Sequence, residues 1–355
     1  MKIPKTMPAA VLMGPEELQV KEVNTPVPGP EDVLIQVKAC SICSSDVSLI
    51  KAPWPGQPDY GTFIPGHEYS GIVAAVGKTV CELQIGDRVA VEAHFGCTRC
   101  PNCRIGNYTA CLNWGLENMG HRANGFTTNG GFAEYVVNHV STTYKIPQWV
   151  SYEEASLITN LGCVLYGFET IGGFVVGNHI AVIGEGPLGL ISLQVARLLE
   201  ADMVYLLGID KYRLKIGSQL GADRIINVLE EDPLPLLKKE MNSGVDLTIE
   251  ASGSDEGLKI AMRLPKWMGK VLLLGIPDSE VRVDLKELAR GNKTIFTVRG
   301  EGRTNCGRGV SLLRRRRIDL GSLVTHIFPL EKIDKAFKTH TDKNIDSIKV
   351  VVQPS

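Results

Sequence analysis

Four cysteines in one polar loop constrain the fold more than any other feature of this 355-residue chain. They follow one another at spacings of three, three and eight residues, as Cys97, Cys100, Cys103 and Cys111. Four thiolates at such spacings supply the closed tetrahedral shell of a structural zinc ion. Buried apolar cysteines or disulfides are the competing explanations, but the neighbours Arg99, Asn102 and Arg104 disfavour burial among apolar side chains. A closed shell leaves no position for a substrate, so this zinc would hold a lobe of the fold together without doing chemistry.

The composition argues against several classes of protein. Lys and Arg number 38 and Asp and Glu 39, so a net charge of −1 provides no basic surface for nucleic acid. No segment approaches the roughly 18 apolar residues of a membrane span, and no apolar signal segment follows the N-terminus. Nine cysteines, four of them clustered, fit metal-bound thiolates in a reducing compartment better than a disulfide scaffold. We therefore expect a cytoplasmic protein of about two domains that acts on a small molecule and binds neither nucleic acid nor membrane.

The N-terminal part of the sequence predicts a β domain. Short alternating runs, for example residues 33–37, 71–76 and 88–91, are separated by Gly and Pro. This pattern is typical of a compact, turn-rich β domain. The four-cysteine loop follows the third of these runs and would be an insertion in that domain.

Two short segments of the β domain carry side chains suited to a second metal. Cys43 follows one predicted strand, and His67 and Glu68 precede another. A thiolate and an imidazole are ligands that a catalytic zinc takes, and Glu68 would add an oxygen. Asp46 would accept the second ring N–H of His67 and fix its tautomer. Each segment alone is a weak signal, because a His beside a Glu is more often a structural pair.

A nucleotide-binding pattern follows in the middle of the chain. The apolar run at residues 179–183 leads into Gly184-Glu185-Gly186-Pro187-Leu188-Gly189, and residues 190–199 have helical periodicity. Strand, G-x-G-x-x-G and helix in this order let the backbone approach a pyrophosphate at the helix N-terminus. Further strand patterns at residues 224–226, 246–250 and 270–275 predict an open parallel sheet.

Together these motifs resemble those of the zinc-dependent medium-chain dehydrogenase/reductase family, which includes alcohol, sorbitol, butanediol and threonine dehydrogenases. The resemblance covers essentially the whole chain and rests on five motifs in family order: Cys43-x-Ser45-Asp46, Gly66-His67-Glu68, the four-cysteine loop, Gly131-Phe132-Ala133-Glu134-Tyr135 and the glycine-rich turn. It implies an α/β protein with a GroES-like β-rich catalytic domain at residues 1–152 and 295–355, whose structural zinc lobe lies at about 94–115. A Rossmann domain with a doubly wound parallel sheet would occupy residues 153–294. The resemblance also implies a homodimer or homotetramer.

The same resemblance implies the roles of several residues. Cys43 and His67 would be ligands of a catalytic zinc, and Glu68 a close or exchanging ligand. Ser45 would contact the substrate oxygen and start a proton relay, and Lys349 would lie near the cofactor pyrophosphate. The implied reaction transfers a hydride between a substrate and a nicotinamide cofactor, with zinc as the Lewis acid. The substrate would be a secondary alcohol of the polyol type or an amino alcohol. The alternatives are a zinc-free reductase of activated carbonyls or alkenes that keeps only the structural zinc, and a non-catalytic binding module, which the charge balance disfavours.

Two features of the predicted catalytic site depart from the family pattern. Thr159 aligns with the usual third protein ligand, and a neutral hydroxyl is a poor zinc ligand; Asn160 or Cys163 would replace it if the register shifts. Ser48 stands where a relay histidine is common, so the proton would leave by another route. His94 lies where threonine dehydrogenases carry an active-site histidine, which indicates a polar substrate unless it is a solvent-facing loop residue.

A third departure concerns the choice of cofactor. The family usually ends its second Rossmann strand with an acid that binds the adenosine ribose, but here Gly208 occupies that place and Asp210 follows two residues later. If Asp210 reaches the 2′-hydroxyl, NAD is preferred. If Lys211, Tyr212 and Arg213 turn inward instead, the 2′-phosphate of NADP is accommodated. We expect NAD, with Asp210 and Arg213 as cofactor-binding residues and NADP as the alternative.

Overall fold

The computed structural model describes residues 2–241, 243–302 and 304–354, which divide into two compact units. The first unit contains the described residues up to Gly162, the segment Gly300–Arg316 and the segment from Leu320 onward. The second unit contains Cys163–Arg299 and Arg317–Asp319.

The strands and helices follow one another in three stretches of the chain. The N-terminal stretch contains β1 (Thr6–Gly14), β2 (Glu17–Asn24), β3 (Asp32–Ser41), α1 (Ser44–Lys51), β4 (Glu68–Val76), β5 (Arg88–Val91), β6 (His94–Phe95), α2 (Pro101–Arg104), β7 (Arg122–Ala123), β8 (Tyr135–His139), β9 (Thr143–Lys145) and α3 (Tyr152–Ser156). The middle stretch contains α4 (Ile158–Thr170), β10 (His179–Ile183), α5 (Pro187–Leu198), β11 (Met203–Gly208), α6 (Lys211–Gln219), β12 (Arg224–Asn227), α7 (Pro233–Met241), β13 (Val245–Glu250), α8 (Asp255–Arg263), β14 (Pro265–Leu273), α9 (Leu285–Arg290) and β15 (Thr294–Thr297). The C-terminal stretch contains α10 (Asn305–Arg314), β16 (Val324–Pro329), α11 (Ile333–Thr341) and β17 (Lys349–Gln353).

The first unit is built on a mostly antiparallel sheet. Its strands lie in the order β16-β17-β3-β4-β5-β9, and β8 also pairs with β3. The three runs predicted as strands lie in β3, β4 and β5, and their apolar side chains, such as Val33, Ile35 and Val89, are fully buried in the core of this unit. The chain forms strands here because apolar and β-branched residues fit a pleated, buried surface.

The register of this sheet brings together segments that are distant in sequence. Ser41 at the end of β3 lies opposite Glu68 at the start of β4, and Val351 of β17 lies on the other side of Ser41. Cys43 follows β3 by two residues and His67 directly precedes β4. The two predicted metal-binding segments therefore meet at one end of the sheet.

The second unit is a parallel sheet with helices between its strands. The strands lie in the order β12-β11-β10-β13-β14-β15, and every pair among them is parallel. Ile180, Ala181 and Val182 of β10 are fully buried, as expected for a central strand covered on both faces. From β10 to β12 successive strands are added towards one edge of the sheet, and from β13 to β15 towards the other edge. The point between β10 and β13 is therefore a topological switch point, and ligands of open α/β sheets bind at the strand ends beside such a point. This arrangement is the predicted Rossmann fold.

The domain boundaries predicted from sequence fall close to those of the compact units without coinciding with them. The predicted boundary between residues 294 and 295 lies inside β15, which pairs with β14 from Thr294 to Thr297 and so belongs to the parallel sheet. The first unit also extends through α3 into α4, as far as Gly162. Among the residues that the structure describes, no helix is long and apolar enough to cross a membrane.

Candidate metal centres and cofactor site

The four cysteines of the loop converge on one point. Their sulfur atoms all lie within 4.8 Å of one another, and the Sγ atoms of Cys97 and Cys103 are 3.9 Å apart. None of the four forms a disulfide. Zn–S bonds of about 2.3 Å in a tetrahedron place the sulfurs about 3.8 Å apart, so the four residues fit a structural zinc ion.

Hydrogen-bond donors contact the sulfur of Cys97 and favour its ionised form. The backbone N–H of Cys100 and the side-chain amide of Asn113 lie 3.4 and 3.2 Å from Cys97 Sγ. Burial opposes ionisation of Cys97, but the N–H groups of Cys100 and Arg99 outweigh it and lower the pKa of its thiol to about 6. Burial raises the pKa of the Cys103 and Cys111 thiols, so of the four it is Cys97, together with Cys100, that is electrostatically prepared to bind zinc as a thiolate.

A second candidate metal centre lies at the end of the sheet in the first unit. The potential ligand atoms of Cys43, His67 and Glu68 lie within 4.8 Å of one another, and His67 Nε2 is 3.9 Å from Glu68 Oε1. His67 is 5% exposed and Glu68 is 1% exposed. A half-buried thiol beside a buried imidazole and a buried carboxylate matches the donor set of a catalytic zinc.

Asp46 supports both of the first two candidate ligands. Its Oδ1 atom lies 3.1 Å from His67 Nδ1, and its Oδ2 atom accepts the backbone N–H of Cys43 at 2.9 Å. Burial lowers the pKa of His67, but the adjacent Asp46 carboxylate outweighs this and holds the pKa well above its usual value. With Nδ1 bound to Asp46, the Nε2 atom of His67 is directed to the candidate metal.

Glu68 is tied into a buried network of hydrogen bonds. Its Oε2 atom accepts from Lys349 Nζ and Ser41 Oγ, and its Oε1 atom accepts from Asn160 Nδ2 at 2.8 Å. Burial raises the pKa of Glu68, but Lys349 and His67 outweigh it and lower the pKa to about 2. Lys349, expected from the sequence near the cofactor pyrophosphate, is 1% exposed and also donates to the carbonyl of Ile42 at 3.1 Å.

The three residues considered as the third protein ligand of the metal have different surroundings. Thr159 donates its hydroxyl to the carbonyl of Val91 at 3.2 Å, away from Glu68. Asn160 points its amide nitrogen at Glu68, and its Oδ1 atom is buried with no hydrogen-bond partner in the described part of the chain. Leaving such an acceptor unpaired costs about 1–3 kcal/mol, so this oxygen is available to a cation. Cys163 lies at the start of the second unit and is outside the cluster of potential ligands.

Ser45, predicted to start the proton relay, and Ser48, which stands where a relay histidine is common, both lie in α1. Ser45 and Ser48 are both half-buried. Neither side chain has a hydrogen-bond partner in the described part of the chain. The hydroxyl of Ser45 is therefore free to contact a substrate oxygen.

The rings of Trp54, Phe126, Trp114 and His94 form an aromatic wall beside the second candidate metal centre. The ring of Phe126 is 4.3 Å from that of His67 and 5.6 Å from that of His94, and Trp54 stacks on Phe126 at 5.6 Å. Trp114 contacts the other side of the His94 ring at 5.6 Å. The pairing of β6 with β7 holds His94 in this place, so it is part of the wall and only 6% exposed.

His94 is held by an acid that sequence reasoning did not find. Glu301 Oε2 lies 2.8 Å from His94 Nδ1, although the two residues are 207 positions apart. Glu301 is 1% exposed, and its Oε1 atom has no hydrogen-bond partner among the residues that the structure describes. No local motif around Glu301 indicates this contact, because it depends on how the C-terminal part of the chain returns to the first unit.

Glu92 lies in the same buried region and shares its electrostatics. It accepts hydrogen bonds from the hydroxyls of Tyr108 and Tyr144, the second at 2.8 Å. Burial and the charge of Glu301 raise the pKa of Glu92 to about 8. Glu92 therefore holds a proton at neutral pH, while Glu301 pairs with His94.

The glycine-rich turn of the second unit has the backbone shape that a pyrophosphate requires. Gly184 has a φ of +103°, and a Cβ there would lie 2.6 Å from the backbone nitrogen of Ser252. A Cβ on Gly189 would lie 1.8 Å from the carbonyl oxygen of Gly184. Gly186 is the N-cap of α5, which begins at Pro187, so the first turn of the helix is open to an anion. These residues fit a dinucleotide.

Asp210 and Arg213, predicted to bind the cofactor, lie at the start of α6. Asp210 is the N-cap of this helix: its Oδ1 atom accepts the backbone N–H of Arg213 at 2.9 Å, and its Oδ2 atom is 3.9 Å from Arg213 Nε. Sequence reasoning did not find the role of Glu185, which accepts the backbone N–H groups of Ile209 and Asp210. The sequence feature that could have indicated this role is a charged residue between the first two glycines of the turn.

Comparison with known proteins matches both units. The model of the alcohol dehydrogenase GroES-like domain matches residues 29–148, and that of the zinc-binding dehydrogenase matches residues 187–314. L-threonine 3-dehydrogenase of Symbiobacterium thermophilum is 31% identical over 90% of each chain, and sorbitol dehydrogenase of Bacillus subtilis is 30% identical over 99% of each. A solved zinc-binding dehydrogenase from Sinorhizobium meliloti 1021, bound to NADP, is 26% identical with a TM-score of 0.88 and covers 99% of this chain and 100% of its own. The chain belongs to the zinc-dependent medium-chain dehydrogenase family and is an oxidoreductase that acts on CH–OH groups with zinc and a nicotinamide cofactor.

Proposed function

We propose that this protein oxidises the secondary alcohol of a polyol or an amino alcohol, with NAD as hydride acceptor and a second, catalytic zinc at Cys43 and His67. The observation that carries the proposal is the convergence of Cys43, His67 and Glu68, with one Asp46 carboxylate supporting the first two. A structural pair would not need a thiol beside the imidazole. The relatives named for threonine and sorbitol dehydrogenation support a polar substrate.

The residues of the chain divide the work around the metal. When bound, zinc polarises the substrate oxygen as a Lewis acid and the nicotinamide accepts the hydride. Cys43 and His67 hold the metal, and Asp46 keeps the His67 ring in the productive orientation. Glu68 and the unpaired Oδ1 atom of Asn160 offer oxygens to complete the set of protein ligands.

The substrate proton leaves through the chain's own hydroxyl. Ser45, two residues after Cys43, takes the proton of the substrate hydroxyl and passes it to solvent. Ser48 offers a second hydroxyl one turn along α1. This route replaces the histidine that many relatives carry at the position of Ser48.

His94 and Glu301 favour a polar substrate over a simple alcohol. With His94 Nδ1 bound to Glu301, the Nε2 atom has no partner in the described part of the chain and is available to a second polar group of the substrate. The aromatic wall of Phe126 and Trp114 confines this group beside the metal centre. A polyol hydroxyl or the amino group of an amino alcohol fits this environment.

The test is a substrate screen with a matched pair of variants. Purified enzyme is assayed with L-threonine, sorbitol, 2,3-butanediol and ethanol, with NAD and NADP in parallel. We expect turnover of polyols or amino alcohols and at least a thousandfold loss in Cys43→Ala, whereas Cys81→Ala, which removes an exposed cysteine, keeps wild-type activity. Reduction of activated carbonyls or alkenes with full activity in Cys43→Ala would instead support the zinc-free reductase.

We also propose that the protein is a homodimer or homotetramer and is located in the cytoplasm. Strand β15 is an edge of the parallel sheet in the described residues. Trp267 and Met268 in the neighbouring strand β14, and Ile276 shortly after that strand, are each more than 70% exposed. An open sheet edge and exposed apolar side chains on the adjacent strand support a homodimer or homotetramer, which light scattering on the purified protein would measure. None of the nine cysteines forms a disulfide in the described part of the chain, which supports a reducing, cytoplasmic location.

A further inference from the structure

The second parallel strand of the nucleotide-binding unit ends without the usual acid, yet a carboxylate occupies that place. Strand β11 ends at Gly208, where dinucleotide-binding folds commonly place an Asp or Glu on the adenosine ribose. A Cβ built on Gly208 would lie only 2.1 Å from Glu185 Oε2. The side chain of Glu185, from the glycine-rich turn, therefore fills the volume that an acid at position 208 would take.

The contacts of Glu185 fix its carboxylate firmly. Its Oε1 atom accepts the backbone N–H of Ile209 at 3.0 Å and that of Asp210 at 2.9 Å. Glu185 is 8% exposed, and its Oε2 atom has no hydrogen-bond partner in the part of the chain that the structure describes. One oxygen is thus anchored, and the other remains available as an acceptor.

Asp210, the alternative acid, is committed elsewhere. Both of its oxygens face Arg213, one on the backbone N–H at 2.9 Å and the other 3.9 Å from Nε. A capping side chain of this kind stabilises the start of α6. Asp210 Oδ2 makes only this long contact and its side chain is 28% exposed, whereas Glu185 is buried and its Oε2 atom fills the place of an acid at position 208.

The position of Glu185 also bears on the discrimination between NAD and NADP. The N–H groups of Ile209 and Asp210 directly precede the nine-residue helix α6, where backbone donors and the helix dipole attract anions. A phosphate on the 2′-oxygen would be drawn to these donors, with Lys211 and Arg213 close in sequence. Glu185 already accepts hydrogen bonds from these N–H groups and places its own negative charge beside them. A 2′-phosphate would therefore be repelled, whereas a 2′-hydroxyl could donate a hydrogen bond to the carboxylate.

We propose that Glu185 selects NAD over NADP: its carboxylate binds the adenosine ribose of NAD and blocks the anion site that would hold the 2′-phosphate of NADP. The proposal rests on the proposed function only in that the second unit binds a nicotinamide dinucleotide. It assigns to the glycine-rich turn a task that the end of the second strand usually performs. Glycine at position 208 is necessary, because any side chain there would displace the Glu185 carboxylate.

The test measures binding alone, so it depends on neither zinc nor substrate. NADH and NADPH are titrated by calorimetry into wild type, Glu185→Ala and Glu185→Gln, and 5′-AMP and 2′,5′-ADP serve as fragments without the nicotinamide. Glu185→Gln keeps the size of the side chain if Glu185→Ala folds poorly, and a thermal melt checks both. Glu231→Gln, the same change at an exposed acid of this unit, is the matched control.

We expect wild type to bind NADH at least about tenfold more tightly than NADPH. In Glu185→Ala, NADH binding should weaken about tenfold and NADPH binding should strengthen, which reverses the preference. Glu185→Gln should gain NADPH binding with a smaller loss of NADH, and Glu231→Gln should match wild type. A ratio of the two affinities that is unchanged in both Glu185 variants would overturn the assignment and leave the proposed function intact. Failure of wild type to bind any of the four ligands would overturn both.

Discussion

Asp46 holds His67 and Cys43 with a single buried carboxylate: one oxygen lies 3.1 Å from His67 Nδ1 and the other accepts the Cys43 N–H at 2.9 Å. The side chain is fully buried, in the first turn of α1. Asp46 thereby holds Cys43, which follows β3, close to His67, which precedes β4, before any metal binds. The strength of zinc binding at this centre should depend on Asp46.

Asp46→Asn should weaken zinc binding at the second centre about 10- to 100-fold while the four-cysteine site keeps its metal. The amide can accept a hydrogen bond from His67, but it lacks the charge that raises the basicity of the ring. Competition with a chromophoric chelator measures the affinity. Asp59→Asn, at an exposed position, is the control, and equal affinities in the two variants would contradict the role given to Asp46.

Lys349→Met should destabilise the first unit by about 3–5 kcal/mol, because it leaves the buried Glu68 carboxylate without its cation. Chemical denaturation followed by circular dichroism measures the change. The double variant Lys349→Met with Glu68→Gln should recover much of the loss, since no unpaired charge remains. If the double variant is as unstable as Lys349→Met, packing rather than charge explains the effect.

Glu92→Gln should change the pH dependence of stability. The pKa of Glu92 is raised from 4.5 to about 8, so the native state binds a proton that the unfolded state releases above about pH 4.5. Stability therefore falls as the pH rises from about 4.5 through 8. Glutamine cannot ionise, so the variant should lose this decline and gain stability over wild type at pH 8, on the order of a few kcal/mol.

Melting curves of wild type and Glu92→Gln at pH 5 and pH 9 provide the measurement. The groups around Glu92 that also matter are Glu301, Tyr108, Tyr144 and Cys306. The two tyrosines stay protonated throughout this range because burial and the charge of Glu92 raise their pKa values. A difference between the two proteins that is the same at both pH values would show that Glu92 does not titrate as described.

Glu301→Gln should lower kcat/KM about 10- to 100-fold for a polyol or amino alcohol substrate and much less for a simple alcohol such as ethanol. Glutamine still accepts a hydrogen bond from His94 but no longer holds the ring with a charge. The contrast between the two substrates separates positioning of His94 from a general loss of folding. Equal losses for both substrates would count against a role in substrate recognition.

Much of the fold follows from local pattern, and the contacts that complete the sites do not. Residues 33–37 and 179–183 alternate or run apolar in ways that dictate strands, and the cysteine spacing alone indicates a structural zinc. Asp46 beside His67 was predictable because both lie in motifs of known geometry. The pairing of Glu301 with His94 depends on a return of the chain over 207 residues, which no local pattern encodes.

The glycine-rich turn shows the same limit. Its motif predicts dinucleotide binding, but the acid that stands in for the residue missing at Gly208 comes from within the turn itself, where no acid is expected. The prediction that Asp210 meets the ribose followed from its place in the sequence. Its capping contact with Arg213 is visible only once α6 is built.

The zinc content per chain, determined by elemental analysis before and after dialysis against a weak chelator, tests whether the second metal centre exists. We expect two zinc ions per chain falling to one, because the four-sulfur shell is closed and the Cys43 centre is open. Cys43→Ala should contain one from the start. One zinc ion per wild-type chain that does not rise when zinc is added would contradict the catalytic centre and favour the zinc-free reductase.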